Sequence, residues 1–96
     1  MRNLFLVSYD ITDPDRLRTI FRTMKGFGEH LQYSVFICNL SPKEKIIMME
    51  TLSDIIDKIA DKVMLVNLGP AEGMAEERIE FIGRHELLPE RDAVIV

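Results

Sequence analysis

The chain has 96 residues, with 12 Lys and Arg against 16 Asp and Glu, a formal charge of −4, 47% apolar side chains and one cysteine. This length suits one small domain spanning residues 1–96, and a single cysteine excludes an intrachain disulfide. No apolar run approaches the ~20 residues that a membrane-spanning helix needs, so the sequence predicts a cytoplasmic protein with no membrane partner.

The first predicted element is a strand over residues 3–10. Alternate side chains of a strand point to opposite faces, so Leu4 and Leu6 share one face while Phe5 and Val7 share the other. Because both faces are largely apolar, we expect both to be covered. Asp10 ends this strand, and a carboxylate at a strand end is a reasonable ligand for Mg²⁺, with a turn-capping role as the alternative.

A helix is predicted to follow this strand. Asp13 and Pro14 mark its start, because an Asp side chain caps free backbone N–H groups and Pro suits the first helical position. We expect the helix to end at Gly26 or Gly28, where left-handed backbone conformations are tolerated.

Four cations and no carboxylate lie between residues 16 and 25. They are Arg16, Arg18, Arg22 and Lys25. The last three are spaced as one stripe on a helix, which indicates either a phosphate-contacting ridge or an ordinary solvated face. Residues 1–40 hold five cations and four anions, whereas residues 41–96 hold seven cations and twelve anions. The acidity of the chain therefore belongs to its second half.

After the first helix, the sequence predicts a short strand, a longer strand, a second helix and a further strand. Residues 29–40 are long enough for the two strands, and Ser41 with Glu44 predicts a capping box that opens the second helix. The expected buried stripe of this helix is Ile46, Met49, Leu52, Ile55, Ile56 and Ile59. Residues 62–68 predict another strand, and residues 78–83 and 93–96 are candidate short strands.

The order βαββαβ predicts an α+β protein with an antiparallel sheet, both helices on one face and a short C-terminal strand extension. The core occupies residues 1–69 and the extension residues 70–96. This topology leaves the other sheet face uncovered in a monomer, although the first strand is apolar on both sides. A second copy of the chain is the economical cover, so we expect a homodimer. A dimer axis that passes near the first strand would bring two copies of Asp10 together.

Three short motifs together resemble the CRISPR-associated protein two family. They are Tyr9-Asp10-Ile11, then Asp15-Arg16-x-Arg18, then Gly28-Glu29-x-x-Gln32-x-Ser34-Val35-Phe36. The specificity lies in their order and spacing within a chain of under a hundred residues. The similarity is strong over residues 4–40, and beyond residue 70 it rests on a tail able to form strands.

The resemblance implies a ferredoxin-like fold that dimerises through its sheets, with the C-terminal extension joining protomers and docking partners. It implies a CRISPR adaptation protein, a central dimer held by the CRISPR-associated protein one integrase while spacer DNA is inserted. It also implies Mg²⁺-dependent nuclease activity on single-stranded RNA or double-stranded DNA, with Asp10 as catalytic residue and metal ligand. Arg16, Arg18, Arg22 and Lys25 are then candidate nucleic-acid contacts.

A function of a different class stays open at this point. One fold hosts many functions, and a ferredoxin-like sheet can serve as a non-enzymatic regulatory or interaction module that binds a small effector or a protein.

Overall fold

The computed structural model describes residues 1–73 and 75–84. The elements in chain order are β1 Asn3–Asp10, α1 Pro14–Met24, β2 Glu29–Gln32, β3 Val35–Leu40, α2 Pro42–Ile55, β4 Lys62–Pro70 and a turn of 3₁₀ helix at Ala75–Arg78. The strands form one sheet in the order β2-β3-β1-β4, and every neighbouring pair is antiparallel. This arrangement confirms the expected ferredoxin-like βαββαβ fold.

Both helices begin where the sequence predicts. The Asp13 side chain accepts a hydrogen bond of 2.9 Å from the Arg16 backbone N–H, and Pro14 is the first residue of α1. Ser41 and Glu44 form the expected reciprocal capping box, with bonds of 3.2 and 3.0 Å. These side chains satisfy N–H groups that have no partner within the helix itself.

α1 ends at Met24, two residues before the nearer of the two expected glycines. The backbone N–H groups of Phe27 and Gly28 then both bond to the Met24 carbonyl, at 2.9 and 3.0 Å. The carbonyl is thereby satisfied by the connection to β2, and Gly28 is brought directly against β3.

The buried face of α2 differs from the expected stripe. Met48 is fully buried and Leu52 is 3% exposed, whereas Ile46 and Met49 are 57% and 46% exposed. Four consecutive apolar residues in the first half of this helix leave its periodicity ambiguous, so packing against the sheet selects the face. Ile59 lies beyond the end of α2, where it is almost fully exposed.

The main core lies between the helices and one face of the sheet. Its largest fully buried side chains are Phe36, Ile20, Met24, Met48, Val7 and Cys38. Burying apolar side chains of this size contributes roughly 1.5–3 kcal/mol each, before the loss of conformational entropy is counted. Residues from β1, β3 and both helices therefore hold the domain together.

The opposite face of the sheet is apolar and only partly covered. The strand register places Leu6 beside Val66 and Ser8 beside Met64 on this face. Val66 is 39% exposed and Met64 is 55% exposed. We call this surface the open face; as the topology predicts, neither helix covers it. Neither of the two helices among the described residues is long and apolar enough to cross a membrane.

The expectation of a strand over residues 78–83 is wrong. Arg78 closes the 3₁₀ turn, and residues 79–84 form no strand within the described part of the chain. Ile79 instead packs on the open face against the buried pair Leu4 and Ile37. Because Ile79 packs on the face of the sheet, the segment around it does not pair along the edge of a strand. The candidate strand at 93–96 falls outside the described residues.

Candidate functional site

Asp10 ends β1 on the open face of the sheet. Its side chain is exposed, and its partner in the neighbouring strand is Lys62. The next pair along the same face is Ser8 with Met64. Asp10 therefore lies at the margin of the apolar surface, where a cation or a phosphate can approach from solvent.

One Asp10 carboxylate fits Mg²⁺ by its chemistry but is an incomplete site. Within residues 1–73 and 75–84, no three His, Cys, Asp or Glu side chains are grouped so that they could hold a metal ion. Sites for Mg²⁺ in phosphate chemistry use one or two carboxylates, with water and phosphate oxygens completing the octahedron. Asp10 could supply one such carboxylate, and water and phosphate oxygens would supply the other ligands.

Three of the four expected nucleic-acid contacts form an exposed ridge on α1. They are Arg18, Arg22 and Lys25, which we call the α1 ridge. Arg18 pairs with Asp15 one turn earlier, and because both side chains are more than half exposed the pair is weak. The Lys25 ammonium lies 5.4 Å from the centre of the Phe21 ring. The ridge therefore presents cations that a phosphate can reach.

Arg16 is set apart from this ridge because it binds a buried carboxylate. Its Nε donates to Asp61 Oδ2 at 2.8 Å, and its Nη2 lies 3.4 Å from Oδ1. The Arg16 side chain is 30% exposed, whereas that of Asp61 is fully buried. Hydrogen bonding to Asp61 raises the pKa of the guanidinium further. A phosphate contact through Arg16 would have to compete with this pair.

Asp61 is the charged residue that sequence reasoning missed. Besides Arg16, its carboxylate accepts hydrogen bonds from the Thr12 N–H at 2.9 Å, the Thr12 hydroxyl at 3.1 Å and the Asp57 N–H at 2.9 Å. The Arg16 guanidinium and then the Thr12 N–H hold the pKa of this carboxyl well below its usual range, against the opposing effect of burial. In sequence, Asp61 is one acid among twelve in the second half.

Two side chains with reactive potential are held by structural contacts instead, one of them half-buried and the other in the core. His30 packs against Phe21 and Phe36, with ring centres 5.0 and 5.1 Å away, and its Nε2 lies 2.6 Å from the Tyr33 carbonyl oxygen, to which it donates. Cys38 is fully buried, and burial raises the pKa of its thiol to about 12. The thiol is therefore protonated and enclosed at neutral pH, unlike a nucleophilic cysteine.

These features define a class: ferredoxin-like proteins with an exposed carboxylate at the end of the first strand and a cationic first helix. Residues 3–73 match the family model described as CRISPR associated protein Cas2. The chain belongs to this family, which confirms the resemblance of its three motifs.

Relatives and solved structures agree with this assignment. The CRISPR-associated endoribonuclease Cas2 of Geobacter sulfurreducens is 41% identical over 96 residues, which is 100% of both chains. An endoribonuclease Cas2 of Rhodospirillum rubrum is 41% identical over 92 residues, covering 96% of this chain and 89% of the relative. The crystal structure of Streptococcus pyogenes Cas2 has a TM-score of 0.73 at 30% identity, covering 83% of this chain and 99% of the other.

Proposed function

We propose that two copies of this chain form a cytoplasmic dimer that binds nucleic acid during CRISPR spacer acquisition, cleaves phosphodiester bonds with Mg²⁺ and serves the integrase as a scaffold. The observation that carries the proposal is the open face, an apolar surface with the Asp10 carboxylate at its margin. The names of the relatives support a nuclease, since both are endoribonucleases.

The open face supports a dimer because it leaves large apolar side chains in water. Leu6, Met64 and Val66 lie on it, and removing apolar surface from water contributes roughly 25 cal/mol per Å². Packing two open faces about a twofold axis covers these residues in both copies at once. An axis that passes near β1 would give each Asp10 a counterpart, and two carboxylates are within the number that a Mg²⁺ site uses.

A glutamate on the open face is expected to separate the dimer. In Met64→Glu, the charge would have to be buried without a partner, which disfavours association. The matched control is Met49→Glu, which places the same charge at a similarly exposed methionine on α2. Sedimentation equilibrium at micromolar concentration should give monomers for Met64→Glu and dimers for Met49→Glu and the unmodified chain. A dimer that survives Met64→Glu would contradict the open-face interface.

The chemistry proposed for Asp10 is hydrolysis of a phosphodiester. When bound, Mg²⁺ supplies charge to polarise the scissile phosphate and lowers the pKa of a coordinated water. Asp10 holds that charge at the edge of the dimer interface, while the α1 ridge binds backbone phosphates. Asp10 and the α1 ridge would contribute to hydrolysis by positioning the metal and the nucleic-acid backbone, because phosphate chemistry depends mainly on charge and orientation.

Neutralising the α1 ridge is expected to weaken nucleic-acid binding and to reduce its salt dependence. For a duplex, each lost phosphate contact lowers the slope of log K against log salt by about 0.9, so Arg18→Gln with Arg22→Gln should reduce it by about 1.8. The control is Lys43→Gln with Lys58→Gln, which removes two exposed cations elsewhere. Fluorescence anisotropy across a salt series measures both slopes. Equal slopes for the two double variants would remove the ridge from the binding surface.

The acidic second half suits a different partner. With twelve anions and seven cations, residues 41–96 favour a basic protein surface over a phosphate backbone, and we assign integrase docking to this half. A non-enzymatic regulatory module is the competing function. It would be indicated by a chain that shows neither salt-dependent binding to nucleic acid nor Asp10-dependent cleavage.

A further inference from the structure

The connection between β1 and α1 is tied to the turn before β4 by a single buried carboxylate. Asp61 accepts from the backbone N–H and the hydroxyl of Thr12, from the guanidinium of Arg16 and from the backbone N–H of Asp57. Thr12 belongs to the loop after β1, and Arg16 to the first turn of α1. Three separate segments of the chain therefore meet at one side chain.

The position of this carboxylate relates it directly to Asp10. Thr12 lies two residues after Asp10, so its fixed N–H limits how the chain leaves β1. Lys62 follows Asp61 and is the strand partner of Asp10. Both the chain beyond Asp10 and the strand beside it are thus anchored at Asp61. Arg16 adds the start of α1 to the same anchor, which sets the α1 ridge relative to Asp10.

The arrangement is held strongly because its members are charged and the carboxylate is excluded from water. The Asp61 side chain is fully buried and the Nε–Oδ2 distance to Arg16 is 2.8 Å, which is the range of a charge-assisted hydrogen bond. A buried carboxylate without donors is costly, so the three segments cannot separate without exposing or stranding the charge. The chain that follows Asp10 and the turn that leads into β4 are therefore held in place before any substrate arrives.

We infer that Asp61 is a positioning residue, which acts through Thr12 and Arg16 to hold the Asp10 carboxylate and the α1 ridge in the geometry that cleavage requires. This inference rests on the proposed function of Asp10. A role in stability alone is the competing interpretation, and the two differ in what a mild substitution does to metal binding and turnover in a folded dimer.

The test compares Asp61→Asn with Asp54→Asn in the full-length dimer. Asparagine keeps the shape of Asp61 and one oxygen acceptor but loses the charge that binds Arg16. Asp54 is an exposed carboxylate on α2 and provides the matched control. Two quantities are measured at a temperature where circular dichroism shows each variant folded: Mn²⁺ binding by electron paramagnetic resonance, and kcat and KM for a single-stranded RNA with Mg²⁺.

Asp61→Asn is expected to weaken Mn²⁺ binding and to lower kcat by about 10-fold each. This is the lower end of the effect of losing a hydrogen bond to a metal ligand, because Asp61 acts on Asp10 through the backbone. KM should change by less than about twofold, since the cations of the α1 ridge stay exposed and able to bind phosphates even when their position relative to Asp10 changes. Asp54→Asn should match the unmodified protein. Unchanged Mn²⁺ affinity and kcat in a folded Asp61→Asn dimer would overturn the inference.

Two further comparisons keep these outcomes separable. If Asp61→Asn does not fold, Thr12→Val removes the hydroxyl that donates to Asp61 at 3.1 Å and accepts from Arg16 Nη2 at 3.2 Å, and it should lower kcat and Mn²⁺ affinity. Thr12→Ser keeps this hydroxyl and should restore both. Equal values for these two variants would contradict the positioning role. If the unmodified dimer binds Mn²⁺ and cleaves RNA no better than Asp10→Asn, the proposed function itself is overturned, and the inference falls with it.

Discussion

Replacing Asp10 by Ala is expected to lower Mg²⁺-dependent cleavage of single-stranded RNA by at least about 100-fold. Charge stabilisation by a catalytic metal amounts to several kcal/mol, and each 1.36 kcal/mol corresponds to about a tenfold change in rate. Asp10 is exposed at a strand end, so its removal opens no cavity in the core. Dimerisation, folding and nucleic-acid affinity measured without metal should stay at their original values.

The matched control for this substitution is Asp54→Ala, an exposed carboxylate removed from α2 rather than from β1. It should cleave at the original rate, and adding a chelator should reduce the unmodified protein to the level of Asp10→Ala. Single-turnover cleavage of an end-labelled RNA measures all three rates. Cleavage that survives Asp10→Ala and still needs Mg²⁺ would remove Asp10 from the chemistry.

Replacing Gly28 by Ala is expected to destabilise the fold more than the same replacement at Gly73. A Cβ at this position would overlap the carbonyl oxygen of Ile37 and lie 2.5 Å from the Cys38 Sγ. The carbonyl is part of the β3 backbone and cannot turn aside as a flexible side chain can. Overpacking of this kind typically costs about 1–3 kcal/mol, because β3 and the connection that carries Gly28 must move apart.

The measurement is the thermal midpoint of the dimer, with Gly73→Ala as the control. For a domain of this size each kcal/mol lowers the midpoint by about 4–8 °C, so the midpoint of Gly28→Ala should fall by roughly 4–24 °C. At Gly73 an added Cβ lies 3.7 Å from its nearest neighbour, which is ordinary contact, and the midpoint should barely change. Equal midpoints for the two variants would contradict this prediction and would show that β3 can shift to make room for the added Cβ.

The fold was predictable wherever a local signal had a single structural interpretation. Asp13-Pro14 and the Ser41–Glu44 pair each identify a helix start, because capping is decided within one turn of chain. The two apolar faces of β1 indicated that the sheet is apolar on both sides. The buried face of α2 was not predictable, since apolar residues all around that helix leave the choice to tertiary packing.

Some features of the candidate site were also predictable from local sequence, and others were not. The position of Asp10 at the end of β1 follows from sequence, and so does the exposure of Arg18 and Arg22, because each depends on one element. The attachment of Arg16 to Asp61 spans 45 residues and two elements, so no local pattern reveals it. That pair changes the interpretation of the basic helix: one of its four cations holds the fold, and three face the solvent.

The proposed role of this chain as a dimeric scaffold in spacer acquisition is tested most directly by a spacer-integration assay with purified integrase. Labelled protospacer duplex and a repeat array are incubated with the integrase and with the unmodified chain, Asp10→Ala or Met64→Glu. We expect insertion with the unmodified chain and with Asp10→Ala, and little or none with the monomeric Met64→Glu or with integrase alone. Equal insertion by the integrase without this chain, or with the monomeric variant, would contradict the proposed role.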